Sequence, residues 1–292
     1  MSLPNLHSLG RGGIMRIDNS AANAFRKCPL NYFEKYEAKF PGSELAGIER
    51  ANESADGRLF GSRMHELLHE YRARLAGKPL SVDFPPCQDA AIEAEAQIAF
   101  AAYQAAYPVE PFEVVEAEQT RVVPLPGGKH ELVVKLDALV RSKAHGCLQV
   151  LDTKTQARAS ANNDPEHWAA RPQVALYLYA TRILYPSEVV SDEIILDLVR
   201  RQSPKGQAGP EFHRDSPRRN ATQVAEAIRD ITWVADQIDG MRNTGYFPAF
   251  RDACKVGNWK CDYYNLHNIE EARESLLKKH FKPAEPYLEV TE

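Results

Sequence analysis

From residue 19 onward the apolar positions recur at helical spacing: Phe25, Cys28, Tyr32 and Tyr36 share one stripe. Asn19 or Ser20 can cap that helix, and Pro29 inside the run predicts a kink or two short helices. Met64, Leu67, Leu68 and Tyr71 predict a second helix over 59–75, and an Ala- and Glu-rich segment predicts a third over 89–107. The texture changes at Pro108. Two β-branched runs, 112–123 and 131–141, flank Pro124-Leu125-Pro126-Gly127-Gly128 and read as a hairpin. Residues 147–155 read as a third strand, 165–184 as a long helix and 194–199 as a fourth strand. Pro, Gly and many charges make 203–219 a predicted loop. Val224, Ile228, Ile231, Ala235 and Ile238 then mark an amphipathic helix, and the tail from Tyr246 ends in a further short one.

This order predicts a compact mixed-sheet α/β protein. Its expected parts are a flexible start (1–14), a helical lobe (15–110), a core (111–245) and a cysteine-containing tail (246–292). The tail should fold back on the first helix, because it could not bury its apolar face alone. Hydrophobic residues make up 43% and charged residues 26% of the 292, which excludes a disordered, collagen-like or disulfide-miniprotein chain. The net charge of −4 excludes a wholly basic nucleic-acid coat and leaves room for a local basic groove. No apolar run approaches the ~18 residues of a membrane helix. The start MSLPNLHSLGRGG lacks a signal-peptide apolar core, and the five cysteines are sparse. A cytoplasmic location is therefore expected, where clustered cysteines hold metal more often than they bridge.

Both Asp137, in VVKLDALV, and Asp152, in LQVLDTKT, interrupt strongly apolar strands, where an unpaired charge is costly. Asp152 and Lys154 lie two apart and share a strand face. If the strand carrying Asp137 pairs beside them, two carboxylates and an ammonium meet. Two carboxylates repel unless a cation lies between them, and hard oxygen donors suit Mg²⁺ or Mn²⁺. A lysine beside such a cation can orient a water, which completes the inventory for phosphodiester hydrolysis. The bland alternative is a surface Asp–Lys pair and an unrelated aspartate.

Ordered motifs extend this cluster. SAANAFRKCPLNYFEKY, Gly61-Ser62-Arg63-Met64-His65, Asp137, Asp152-Thr153-Lys154-Thr155 and Gln173-Val174-Ala175-Leu176-Tyr177 follow one another, with cysteines near the end. In this the chain resembles the PD-(D/E)XK nuclease superfamily, and within it the RecB-like exonucleases, over residues 20–267. The resemblance implies a restriction-endonuclease-like core and a metal-dependent DNA exonuclease. His65, Asp137, Asp152 and the Thr153 carbonyl would hold the Mg²⁺ or Mn²⁺, and Lys154 would position the water. Gln173 and Tyr177, one turn apart on a helix face, would buttress the site or touch DNA. A catalytically silent DNA-binding subunit of the same fold is the alternative. No phosphate loop of helicase type is present, so a helicase or recombination partner would be a separate protein.

Three further features compete or add. His65-Glu66-Leu67-Leu68-His69 matches the H-E-x-x-H pattern of zinc proteases, with Glu93 or Glu95 as a third ligand. That reading leaves Asp137, Asp152 and Lys154 unused. Cys28, Cys254 and Cys261 match positions where RecB-like nucleases hold a [4Fe–4S] cluster. His267 stands at the fourth position, which suits Zn²⁺ as well; decayed, merely buried thiols are the alternative. Finally, Arg200, Arg201, Lys205, Arg214, Arg218 and Arg219 give 200–219 a local positive balance suited to DNA phosphates, although such runs are commonly just solvated.

Overall fold

The computed structural model describes residues 14–44, 46–51, 56–78, 84–156, 168, 170–201, 209–256, 259–269 and 272–284. Strand β1 (Met15–Ile17) leads into α1 (Asn19–Lys27), whose cap is Asp18, one residue before the expected pair; its carboxylate accepts the Ala21 N–H at 2.7 Å. Pro29 opens α2 (Pro29–Tyr36), in the first turn where its missing N–H costs nothing, so the run is two short helices. Then come β2 (Ile48–Arg50), α3 (Asp56–Leu75) and α4 (Ala90–Ala106), the last capped by Asp89. The predicted hairpin is β3 (Phe112–Pro124) and β4 (His130–Ser142), followed by β5 (Leu148–Gln156). Helix α5 is Pro172–Leu184, with Arg171 as N-cap; residues 165–167 of the expected helix lie outside the described residues. Strand β6 (Ile195–Arg200) precedes β7 (Glu211–Asp215), which lies in the segment read from sequence as loop. The last described elements are α6 (Ala221–Thr244), the short β8 (Lys255–Val256) and β9 (Trp259–Lys260), α7 (Tyr264–Asn268), α8 (Arg273–His280) and β10 (Phe281–Pro283).

The main sheet runs β1-β4-β5-β6-β7, with β3 also on β4. β4 and β5 are antiparallel, and β5 and β6 are parallel. A parallel pair needs a crossover, and α5 supplies it. The chain divides into two compact units, one of residues 1–53, 124–133 and 228–292, the other of 54–123 and 134–227.

In the unit of 54–123 and 134–227, α3 and α4 pack Phe60, Met64, Leu68, Ala96 and Tyr103 around Val199 of β6. Val199, Asp197 and Thr153 therefore face these helices, while Asp152 and Lys154, of opposite parity, face away from them. In the other unit Ile48, Tyr263, Leu266, Leu277 and Phe281 form a core joining β2 to the tail. There the Arg242 guanidinium grips Glu37, and Arg273 bonds Glu34 at 2.7 Å.

Candidate active site

The β4–β5 register ends at Ala138↔Leu151, so the next residue on each strand is Asp137 and Asp152. β5 goes on alone with β6 as far as Gln156. At this fork the Asp137 carboxylate accepts the Thr153 N–H at 2.7 Å, the place a β4 carbonyl would take in a continuing ladder. Lys154 Nζ bonds both oxygens of Asp152, at 2.9 and 2.8 Å. The two carboxylates and the ammonium expected from sequence thus meet on adjacent strands.

Helices close the site from both faces. On α5, Gln173 donates to the Tyr177 hydroxyl at 2.6 Å, and that hydroxyl lies 3.1 Å from Asp152 Oδ1 and 3.0 Å from the Lys135 carbonyl. On α3, His65 Nδ1 stands 3.6 Å from Asp137 Oδ2. Gly61 explains how the helix comes so near. A Cβ there would lie 2.8 Å from Thr155 Oγ1, and one turn on is His65. Gly61→Val is expected to destabilise by about 1–3 kcal/mol through this overpacking. Gly61→Ala should be close to neutral, because its better helix propensity offsets roughly 1 kcal/mol. Urea melts of both variants check this.

Asp152 is 3% exposed. Burial raises its pKa most, Asp137 raises it further, and Lys154 and the Tyr177 hydroxyl oppose the rise. Burial, then Asp152 and Asp137, push Tyr177 well above its ordinary value, so it remains a hydrogen-bond donor. Trp168 carries two cations on its ring, Lys154 Nζ at 5.6 Å and the Arg171 guanidinium at 3.9 Å. Burial lowers the Arg171 pKa against the pull of Asp152.

Among the described residues no three His, Cys, Asp or Glu side chains form a ready cage for a metal ion. A closed zinc-type site is therefore not what the fork offers. Mg²⁺ is commonly held by one or two carboxylates and keeps several waters. Two adjacent carboxylates, beside a backbone carbonyl and an imidazole, fit that ion.

The zinc-protease pattern does not hold together. His65 turns to Asp137, whereas His69 Nδ1 lies 3.3 Å from Glu118. Arg63 occupies Glu66 at 3.0 Å and Glu93 at 2.8 Å, and Arg201 forks onto Glu95 at 2.6 and 2.7 Å. The would-be base and both would-be third ligands are thus neutralised by arginines.

The three candidate cysteines gather in one place. Cys28, Cys254 and Cys261 are buried in one unit, and Cys28 and Cys261 help burial to raise the Cys254 thiol pKa. The thiols instead meet nearby polar groups: Phe250 N–H donates to Cys28 Sγ and Asn31 to Cys261 Sγ, both at 3.3 Å. His267 faces Glu34, at 3.5 Å, in a buried pair. Among the described residues no three such side chains form a ready metal cage, so the [4Fe–4S] or Zn²⁺ site that the family pattern suggested finds no support here.

The basic segment divides. Arg214 is no loop residue: on β7 it forks onto Glu110 at 2.5 and 2.9 Å and reaches Asp197 at 3.2 Å. Arg201 is paired with Glu95, and Arg200 stands 3.6 Å from Glu211. Among the described ones Arg218 is the most exposed, 3.9 Å from both Asp192 and Glu193, and Arg219 adjoins it, bonding its carbonyl. Lys205 lies outside the described residues. Sequence reasoning passed over Arg72, Asp197 and Tyr103, which meet behind Thr153. Asp197 in IILDLV interrupts an apolar strand just as Asp137 and Asp152 do, so the same cue applied to it.

A family model described as the PD-(D/E)XK nuclease superfamily matches residues 19–265. No curated protein matches the chain. Among solved structures, a provisionally assigned exonuclease of Eubacterium rectale is 14% identical with a TM-score of 0.47, covering 91% of this chain and 98% of its own. An alkaline exonuclease of Laribacter hongkongensis, LHK-Exo, is 11% identical with a TM-score of 0.33, covering 64% and 94%. The same enzyme in complex with dAMP is 14% identical with a TM-score of 0.31, covering 65% and 93%. No helix among the described residues is long and apolar enough to cross a membrane.

Proposed function

Because the chain belongs to the PD-(D/E)XK nuclease superfamily, we propose that it is a Mg²⁺- or Mn²⁺-dependent deoxyribonuclease, acting from DNA ends as an exonuclease. The observation that carries this reading is the fork at which Asp137 and Asp152 meet with Lys154 on both Asp152 oxygens. Asp137, Asp152, the Thr153 carbonyl and His65 would hold the cation. When bound, that ion supplies Lewis-acid polarisation of the phosphodiester and acidifies a nearby water. Lys154 orients this water toward phosphorus. The water oxygen would form the new P–O bond as the bond to the departing nucleoside oxygen breaks; the attacking water gives a proton to solvent, and the departing oxygen takes one from solvent. Tyr177 and Gln173 keep Asp152 in place. Trp168 holds the Lys154 ammonium over its ring, which limits where the amine can reach. Arg200, Arg218 and Arg219 would contact DNA phosphates. A motor or recombination partner would act as a separate protein.

The test is incubation of purified protein with linear and with circular DNA, in Mg²⁺, Mn²⁺ or EDTA. Loss of linear DNA alone, dependent on the ion, is expected. Intact linear DNA under every condition would favour the silent DNA-binding subunit. A second expectation separates the histidines. His65→Ala should lower cleavage about tenfold to hundredfold, the cost of losing a group that holds or orients a metal. His69→Ala, whose ring faces Glu118, should stay within about threefold. Equal losses at both positions would reject the role given to His65.

A further inference from the structure

On the face of β5 opposite Asp152, Thr153 makes a contact that the nuclease motif does not require. Its Oγ1 accepts from Arg72 Nη2 at 2.8 Å, and the same nitrogen lies 3.2 Å from Asp197 Oδ2. Arg72 is 3% exposed, and Thr153 and Asp197 are 0% exposed. Asp197 also accepts from the Tyr103 hydroxyl at 2.5 Å and from Arg214 at 3.2 Å. Arg214 in turn is tied to Glu110. The buried charges therefore balance, two arginines against two carboxylates.

We infer that Arg72 is a positioning residue of the metal site, acting through Thr153. This rests on the nuclease reading above. Thr153 is the hinge of the fork: its N–H holds Asp137, and its carbonyl is a proposed ligand. A side-chain bond from the far face fixes the rotation of that residue, and so fixes both backbone groups at once. Groups behind a ligand shell commonly orient the ligands in this way. A merely structural pair has no need of the arrangement, since buried ion pairs can be replaced by apolar residues without loss of stability. Burial pulls the Arg72 guanidinium down, but Tyr103, Asp197 and Asp137 outweigh it, so the anchor stays charged.

Mn²⁺ titration calorimetry, thermal melting and single-turnover cleavage of the whole chain test this. Thr153→Val keeps both backbone groups and removes only the hydroxyl. Arg72→Lys keeps the charge and removes the fork. Each is expected to weaken Mn²⁺ binding about tenfold, with cleavage reduced in step, and the double variant should lose no more than either single one. Arg214→Lys touches Asp197 but not Thr153, and should lower the melting temperature with Mn²⁺ affinity unchanged. Wild-type affinity in folded Thr153→Val would overturn the inference, and that variant decides alone if Arg72→Lys fails to fold. Equal weakening in Arg214→Lys would also overturn it, by showing a general collapse. Wild-type protein that binds Mn²⁺ but leaves DNA intact would sink the nuclease reading while the affinity comparison still stands. Wild-type protein that binds no Mn²⁺ would overturn both.

Discussion

Asp152→Asn is expected to reduce DNA cleavage by about three orders of magnitude, roughly 4 kcal/mol of barrier, without loss of stability at neutral pH. The amide keeps the size of the carboxylate and an acceptor for Tyr177, so packing is retained. It loses the charge that would hold the cation. Stability follows from the direction of the Asp152 shift. Burial and Asp137 raise its folded pKa above the ordinary 3.8. The native state then binds more protons than the unfolded one between the two values, and stability falls as pH rises through that window. Asn has no proton to lose and escapes this cost. The variant should therefore melt at or above the wild-type temperature at pH 7, and the gap should close as pH falls to the ordinary carboxylate range. Thermal melts across pH, beside single-turnover cleavage, check both halves. Cleavage within tenfold of wild type would remove Asp152 from the site.

The candidate cluster was legible in the sequence because charge inside an apolar strand is costly. Asp137 and Asp152 each break a run of valines and leucines, and the two-residue spacing to Lys154 sets the shared face. Their convergence needed the register of β4 on β5, which the short hairpin connection favours. What stayed hidden depends on distant partners. β7 reads EFHRD, with no apolar alternation, and exists because β6 pairs with it and Glu110 neutralises Arg214 from 104 residues away. The parallel pairing of β1 with the start of β4 is likewise non-local. The H-E-x-x-H pattern shows the same limit. Spacing placed His65, Glu66 and His69 on one helix, but Arg63, Asp137 and Glu118 decide what each does.

Lys154→Met should separate metal binding from chemistry. The substitution keeps an unbranched stem of similar length and removes the ammonium. In wild type that ammonium bonds both oxygens of Asp152, and it therefore competes with any cation for them. Without it Mn²⁺ should bind severalfold more tightly, because a like charge within ~3 Å has gone. Cleavage should nonetheless fall about a hundredfold or more, since nothing then orients the attacking water. Metal-free stability moves the other way. Lys154 lowers the Asp152 pKa, so its loss drives that pKa higher still. The sign is that of a raised carboxylate: the native state is unharmed in acid and loses stability as pH rises past the ordinary carboxylate range. Bound metal removes the deficit by supplying the missing positive charge. Saturating Mn²⁺ should therefore raise the melting temperature of Lys154→Met by more than it raises that of wild type. Calorimetry, melting with and without Mn²⁺, and single-turnover cleavage read the three effects separately. Weaker Mn²⁺ binding in the variant would show that Lys154 helps to build the cation site rather than competing for it, and near-normal cleavage would take the water-orienting role away from the lysine.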